Sequence, residues 1–260
     1  MIHGSTRIAA VIGWPVEHSR SPEMFAAAFA AAGLDAAMIP IGVPPEGFAT
    51  VVAGLRAMRI LGASVTAPHK LAAHAACDRL SEAAQAIGAV NCLQLDGDAL
   101  VGHNTDSAGF ADGLRAAGCT PERVVLLGAG GAARAVAHGL PGAEIVARRT
   151  ADWTRTTPWS ELPGAFARAD LVVDCTSMAL GDDESALLPL EHLRPHAWVA
   201  SLVYHRKAPL LARAEAAGHR ILDGRAMLVH QGARAFEIWT GRPAPVAAMR
   251  EALDQALRST

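Results

Sequence analysis

Three glycines, Gly128, Gly130 and Gly131, follow directly on the apolar run Val124–Leu127 and precede a helical pattern over Ala132–Leu140. Glycines at such a turn let the backbone bend tightly and approach a pyrophosphate, whose charge then sits on the N-terminus of the following helix. Ala133 takes the place of the third glycine of a dinucleotide fingerprint and, being small, still permits close packing. The next apolar run, Glu144–Ala147, ends in Arg148-Arg149-Thr150. An NAD site carries Asp or Glu there, about 20 residues beyond the first glycine, to bond the ribose 2′-hydroxyl. Two guanidinium groups and a hydroxyl suit a 2′-phosphate instead, because arginine binds phosphate oxygens as a fork. Gly128, Ala129, Gly130, Gly131 and Ala132 are therefore candidate pyrophosphate residues. Arg148, Arg149 and Thr150 favour NADP over NAD. Taken alone, the glycines equally fit an ordinary strand-to-helix turn, and the arginines also fit a solvated basic turn.

Other polar residues stand where an α/β sheet places chemistry. Ser19 and Ser21 precede the helical run Glu23–Ala32. Ser21 reads as an N-cap with Pro22 at the first helical position. That leaves Ser19 over, and two hydroxyls beside a helix N-terminus also suit a carboxylate. Lys70 comes just after the strand Ile60–Val65, through Thr66-Ala67-Pro68-His69. The carboxyl end of a parallel strand is where such sheets bind ligands, although most lysines are solvated surface charges. Asp106 closes His103-Asn104-Thr105-Asp106 and opens the helix Ser107–Ala117, where N-capping is its simplest role.

The elements that must hold these residues fall into two α/β blocks joined near Asp106. The first has strands at Arg7–Ile12, Ala36–Ile41 and Ile60–Val65, helices over Pro45–Met58, up to Cys77 and over Ser81–Ile87, and a hairpin. The hairpin runs Cys92–Leu95, turns at Asp96-Gly97 and returns over Ala99–Gly102. After Thr150 the pattern loosens, and Trp153–Trp159 reads as polar and irregular. Asp170–Asp174 is a strand, followed by a loop from Cys175 through Glu184 that should border a cofactor crevice. Trp198–Val203, Pro209–Ala217 and Arg220–Leu222 read as strand, helix and strand. Arg225–Thr240 carries Gln231, and Pro245–Leu257 is a final amphipathic helix expected to pack back on the first block.

The 260 residues carry a net charge of −2 and a 51% apolar fraction, which disfavours disorder and gives no basic field for nucleic acid. No apolar run is long enough to span a bilayer, and Met1–Arg7 lacks the features of a signal peptide. Cys77, Cys92, Cys119 and Cys175 stand singly, which fits free thiols in a reducing cytoplasm. No His or Cys spacing suggests a metal.

The assembled stretches resemble the shikimate dehydrogenase family. They are GWPVEHSRSPEMF (13–25), GASVTAPHK (62–70), IGAVNC (87–92), GHNTD (102–106), GAGGAARA (128–135), ARRT (147–150), LVY (202–204) and GRAMLVHQGARAFEIWTG (224–241). The resemblance implies an α/β protein of two domains with a cleft between them. Residues 1–106 with 237–260 would bind substrate, and 107–236 would form a Rossmann-like NADP domain. It implies reversible oxidation of shikimate to 3-dehydroshikimate, a step of aromatic amino acid biosynthesis. On that resemblance, hydride is expected to pass between nicotinamide and a ring carbon, with Lys70 moving the proton. Lys70 and Asp106 match the family's catalytic pair. Ser19, Ser21, Thr66, Asn91, Asp106, Tyr204 and Gln231 match its substrate-binding positions. Thr176, Leu202 and Gly224 match positions along the cofactor. The implied partners are a small cyclic polyol carboxylate and NADP, with no nucleic acid, membrane or metal, and a homodimer stays open.

The sequence also departs from the family pattern. Ser64 stands for an Asn, Cys92 for a Thr, Arg148 for an Asn and Asp174 for an Asn. Ser201, His205 and Arg206 replace the usual flank of the tyrosine, and Ala226 replaces a glycine. These changes leave a quinate- or aminoshikimate-preferring relative open beside a shikimate dehydrogenase. A non-catalytic nucleotide-binding regulator is the reading from another class, and the presence of both Lys70 and Asp106 speaks against it.

Overall fold

The computed structural model describes residues 2–176 and 188–259. The chain forms two compact units, Met1–Gly109 with Val229–Thr260, and Phe110–Leu228. Each division falls inside a helix, α5 (Asp106–Ala116) and α9 (Gly224–Thr240), rather than in a loop.

The first unit holds β1 (Arg7–Gly13), α1 (Ser21–Ala31), β2 (Ala36–Gly42), α2 (Phe48–Ala57), β3 (Gly62–Val65), α3 (Lys70–Ala76), β4 (Arg79–Leu80), α4 (Glu82–Ile87), β5 (Cys92–Asp96) and β6 (Ala99–His103). Its sheet runs β2-β1-β3-β5-β6-β4. β1, β2 and β3 are parallel, β5 runs antiparallel to β3, and β6 pairs with β5 as a hairpin. Gly97, at φ 62°, makes the hairpin turn after Asp96. The mixed sheet has a direct consequence. The carboxyl ends of β1 and β3, the start of β5 and the end of β6 all lie along one edge, because Ser64 faces Cys92 and Cys92 faces His103. Residues distant in sequence meet there. One face of this sheet is covered by Phe48, Val52 and Leu55 of α2, packed on Ala63, Val65 and Leu93. The final helix, α10 (Val246–Arg258), packs against α1 in the same unit.

The second unit holds β7 (Val124–Leu127), α6 (Gly131–Gly139), β8 (Glu144–Ala147), β9 (Thr157–Pro158), α7 (Leu162–Arg168), β10 (Leu171–Asp174), β11 (Trp198–Ser201), α8 (Pro209–Ala216) and β12 (Arg220–Leu222). Its sheet, β12-β11-β10-β7-β8-β9, is parallel at each pairing. The chain winds outward from β7 to β9 and then restarts at β10 on the other side of β7. The strand order therefore reverses between β7 and β10, the position where doubly wound sheets bind ligands. The strands are buried on both faces, as near-continuous apolar runs of this kind require.

Several local expectations change. Within the stretch read as irregular, Thr157–Pro158 form β9, and the unassigned residues beyond it hold α7, whose Leu162, Ala165 and Phe166 are buried. Pro163 at the first turn is tolerated there because its missing N–H would have had no helical partner. Ser21 is not an N-cap: α1 begins at Ser21 itself, with Arg20 in the cap position and no side-chain cap. The orphan N–H of Ser21 donates instead to Ser19 Oγ at 3.3 Å. The loop expected through Glu184 lies outside the described residues beyond Thr176.

In the first unit α5 and α9 approach closely through Gly109. A Cβ at this position would lie 2.5 Å from the backbone nitrogen of Gln231 and 2.7 Å from its Cα. Gly109→Ala should therefore destabilise the protein by about 1–3 kcal/mol through overpacking, despite a gain of about 1 kcal/mol in helix propensity. Urea unfolding measures the sum, and a more stable variant would contradict the packing argument.

Candidate active site

The shared edge of the first sheet brings together Lys70, Asp106, Asn91 and Thr66. Lys70 is the first residue of α3, and Asp106 the first of α5. Lys70 Nζ donates to Asp106 Oδ2 at 2.7 Å. The carboxylate is nearly buried, while the lysine side chain is about one-third exposed, 36%. Asp106 therefore does not cap its helix. Its N–H donates to Asn104 Oδ1 at 3.1 Å, and Asn104 in turn donates to the Ala89 carbonyl at 3.0 Å. That arrangement frees the Asp106 carboxylate to hold the ammonium.

Beside this pair lies a buried amide network. Asn91 Oδ1 accepts the Thr105 N–H at 2.7 Å, and Asn91 Nδ2 donates to Thr105 Oγ1 at 3.0 Å and to Gln231 Oε1 at 3.4 Å. Gln231 reaches in from α9, 140 residues away in the chain. Buried amides of this kind are satisfied only in one arrangement, so the network sets their orientation. Thr66 is half-buried at the end of β3. Ser19, half-buried, and Ser21, buried, stand at the start of α1, which follows β1. Ser64 is buried on β3 opposite Cys92, and its hydroxyl has no hydrogen-bond partner among the described residues.

His69 is a supporting residue to which the sequence analysis assigns no role. It is buried, stacks on Phe48 with ring centroids 4.8 Å apart, and its Nε2–H donates to the Val43 carbonyl at 2.6 Å. It thereby anchors the residue immediately before Lys70. No signal in the local sequence announces this, because both partners belong to the segment after β2.

In the second unit Gly128, Ala129, Gly130, Gly131 and Ala132 form the turn from β7 into α6. Gly128 has φ +91°, a conformation that L side chains rarely adopt. Gly130 and Gly131 have open space where a side chain would project, and the start of α6 carries no side-chain cap. A helix N-terminus with exposed N–H groups and no side chain in the way fits a pyrophosphate. Arg148, Arg149 and Thr150 follow β8 and are exposed. Thr176 follows β10, and a Cβ on Gly128 would stand 2.9 Å from its Cγ2. Gly224 starts α9 against Leu202, where a Cβ would meet the Leu202 carbonyl oxygen at 2.1 Å. Only glycine permits that approach. Tyr204 lies just beyond β11, edge-on to His205 at 5.8 Å. The second unit therefore carries the whole set of candidate cofactor residues, and Tyr204 with them, while the other candidate substrate residues belong to the first.

Asp174 ends β10 and is almost completely buried. Its Oδ1 accepts the Thr176 N–H at 2.9 Å and the Thr176 hydroxyl at 2.6 Å. Its Oδ2 has no partner among the described residues. Burial raises its pKa above the usual carboxylate value, and the two Thr176 hydrogen bonds oppose that shift without cancelling it.

Among the described residues no group of His, Cys, Asp and Glu could hold a metal, and no helix is long and apolar enough to cross a membrane. Residues 11–93 match the family model described as the shikimate dehydrogenase substrate binding domain, and residues 224–253 match the shikimate 5'-dehydrogenase C-terminal domain. A shikimate dehydrogenase (NADP(+)) of Citrifermentans bemidjiense is 44% identical, covering 97% of this chain and 96% of its own. That of Moorella thermoacetica is 40% identical, covering 98% and 95%. The solved structure of shikimate 5-dehydrogenase from Thermus thermophilus in complex with NADP(H) and shikimate superposes with a TM-score of 0.86. It is 34% identical and covers 96% of this chain and 100% of its own.

The burial of Asp174 has a pH signature. A carboxyl group with a raised folded-state pKa contributes stability that is fully present below its unfolded pKa and is lost as pH rises through the folded value. Asp174→Asn removes that titration and keeps an oxygen for Thr176. The stability of Asp174→Asn relative to wild type should therefore improve steadily as pH rises from about 4 toward neutrality. Urea unfolding at a series of pH values tests this, and a pH-independent difference would remove the argument.

Proposed function

The chain belongs to the shikimate dehydrogenase family, and we propose on that premise that it catalyses the NADP-dependent interconversion of shikimate and 3-dehydroshikimate. The observation that carries the reading is the Lys70–Asp106 pair, 2.7 Å apart, set beside the Asn91–Gln231 amides at one edge of the first sheet. NADP, when bound, supplies the two-electron acceptor or donor for the ring carbon.

The chain's own residues do the rest. In the direction of ketone reduction the ammonium of Lys70 donates a proton to the forming alkoxide oxygen, and in oxidation the lysine takes it from the hydroxyl. Asp106 holds Nζ in place and accepts from a neighbouring substrate hydroxyl. The amides of Asn91 and Gln231 offer both donors and acceptors, which matches a polyol whose hydroxyls do both. Ser19, Ser21 and Thr66 supply hydroxyl donors for the carboxylate, and Tyr204 a phenolic one. The first unit, residues 1–109 with 229–260, carries the other substrate residues, Gln231 among them, and the second, residues 110–228, carries Tyr204 and the cofactor residues. Gly128–Ala132 receive the pyrophosphate, Arg148, Arg149 and Thr150 the 2′-phosphate, Thr176 borders the cofactor, and Leu202 and Gly224 line the nicotinamide. The four cysteines are free, which supports a cytoplasmic location.

Lys70→Met keeps the length of the side chain and removes its proton. Turnover at saturating shikimate should fall by about 10²–10⁴, the usual worth of a positioned acid or base. NADP affinity should hold, since Lys70 belongs to the first unit and the glycine turn to the second. Steady-state kinetics decides the matter. Near-normal turnover with a raised KM for shikimate would make Lys70 a binding residue only.

A further inference from the structure

The segment between β8 and α7 shows no regular pattern in sequence, yet it is held at two points beside the cofactor residues. β9 pairs with β8 in parallel, with Pro158 opposite Ala147. Trp159 and Arg148 are the residues that directly follow these two strands. The Arg148 guanidinium lies over the Trp159 ring, 5.0 Å from its centroid. Trp159 itself is half-buried and packs on the core formed by α7, α8 and the sheet. Nearer the start of the segment, Trp153 packs on the opposite core and its indole N–H donates to the Ala129 carbonyl at 3.0 Å. Ala129 is in the glycine turn. The stretch thus grips both faces of the sheet at the end where the turn and the arginines sit.

We propose that Trp159 is a positioning residue that sets the choice of NADP over NAD by holding the Arg148 guanidinium, and that Trp153 positions the pyrophosphate turn through Ala129. The inference rests on the assignment of Arg148 to the 2′-phosphate made above. The physical case is one of preorganisation. An exposed arginine samples many rotamers, and holding it in one costs part of the binding energy of each contact it makes. An aromatic face under a planar guanidinium restricts its motion without using the edge N–H groups that fork onto phosphate oxygens. The indole hydrogen bond does something different. It fixes the Ala129–Gly130 peptide, and hence the direction of the Gly130 N–H and of those beyond it, which would serve a pyrophosphate common to both cofactors.

The two tryptophans therefore predict different signatures. Dissociation constants for NADP and NAD are measured by calorimetry on the purified chain and on Arg148→Ala, Trp159→Leu, Trp159→Phe and Trp153→Phe. Arg148→Ala should lower the NADP-to-NAD affinity ratio by about tenfold or more. Trp159→Leu, which keeps apolar bulk and removes the π face, should lower it by about three- to tenfold with NAD affinity unchanged. Trp159→Phe should recover part of that loss. Trp153→Phe removes only the N–H and should weaken both cofactors by the same factor, about fivefold, leaving the ratio intact. Unchanged NAD affinity in the Trp159 variants shows that the unit has folded. If Arg148→Ala lowers the ratio and Trp159→Leu does not, the positioning role is overturned while the phosphate assignment stands. If Trp153→Phe leaves both affinities unchanged, its part is overturned. If Arg148→Ala itself leaves the ratio unchanged, the phosphate assignment fails and the role of Trp159 fails with it.

Discussion

A lysine ammonium held 2.7 Å from a nearly buried carboxylate is the contact on which the first unit is arranged. A carboxylate removed from water needs a counter-charge and hydrogen bonds, and one left without them is strongly destabilising. The surrounding structure meets that need in layers. Asn104 takes the Asp106 N–H, so the helix start is satisfied without using the carboxylate. His69 is anchored to the Val43 carbonyl and stacked on Phe48, so α3 begins at a defined place. The Lys70–Asp106 pair is thus held by neighbours that are themselves tied to the core.

The mixed sheet is what makes this possible. An all-parallel sheet would send the start of each strand to the far edge. Here β5 runs antiparallel to β3 and β6 returns beside it, so Asn91, Asp106 and Lys70 share an edge despite their separation in the chain. Gly109 lets α9 come near enough for Gln231 to complete the amide network. A polar cluster of this kind must be fully connected to be tolerated in a buried position. Its connections run through residues from three separate parts of the chain.

The second unit leaves the start of α6 uncapped and open at Gly130 and Gly131, an arrangement that fits an anion. Reversal of strand order between β7 and β10 opens the space, and Gly128 turns the chain into α6. Thr176, drawn in by two hydrogen bonds to Asp174, packs against Gly128. The departure from Asn at position 174 therefore leaves the oxygen that Thr176 needs and adds an ionisable group in a buried place.

Much of this was legible in the chain itself. The apolar runs Val124–Leu127 and Glu144–Ala147 and the glycines between them are local in sequence, and they form the strands and the turn that their residue types imply. The family was legible as well, because its motifs recur in order along nearly the whole chain. What the sequence could not decide were roles that depend on a partner far away. Ser21 and Asp106 both looked like helix caps, since a hydroxyl or carboxylate before a helical run does that work in isolation. Only the fold brings Ser19 to the Ser21 N–H, whereas the 2.7 Å contact of Lys70 with the Asp106 carboxylate is the pairing that the family resemblance implies. His69, Gly109 and the tryptophans at 153 and 159 had no signal of their own, because their partners lie on other elements and only strand register and helix packing place them together. Residue type and spacing determine what a short stretch can do, and tertiary contact determines which of those capacities is used.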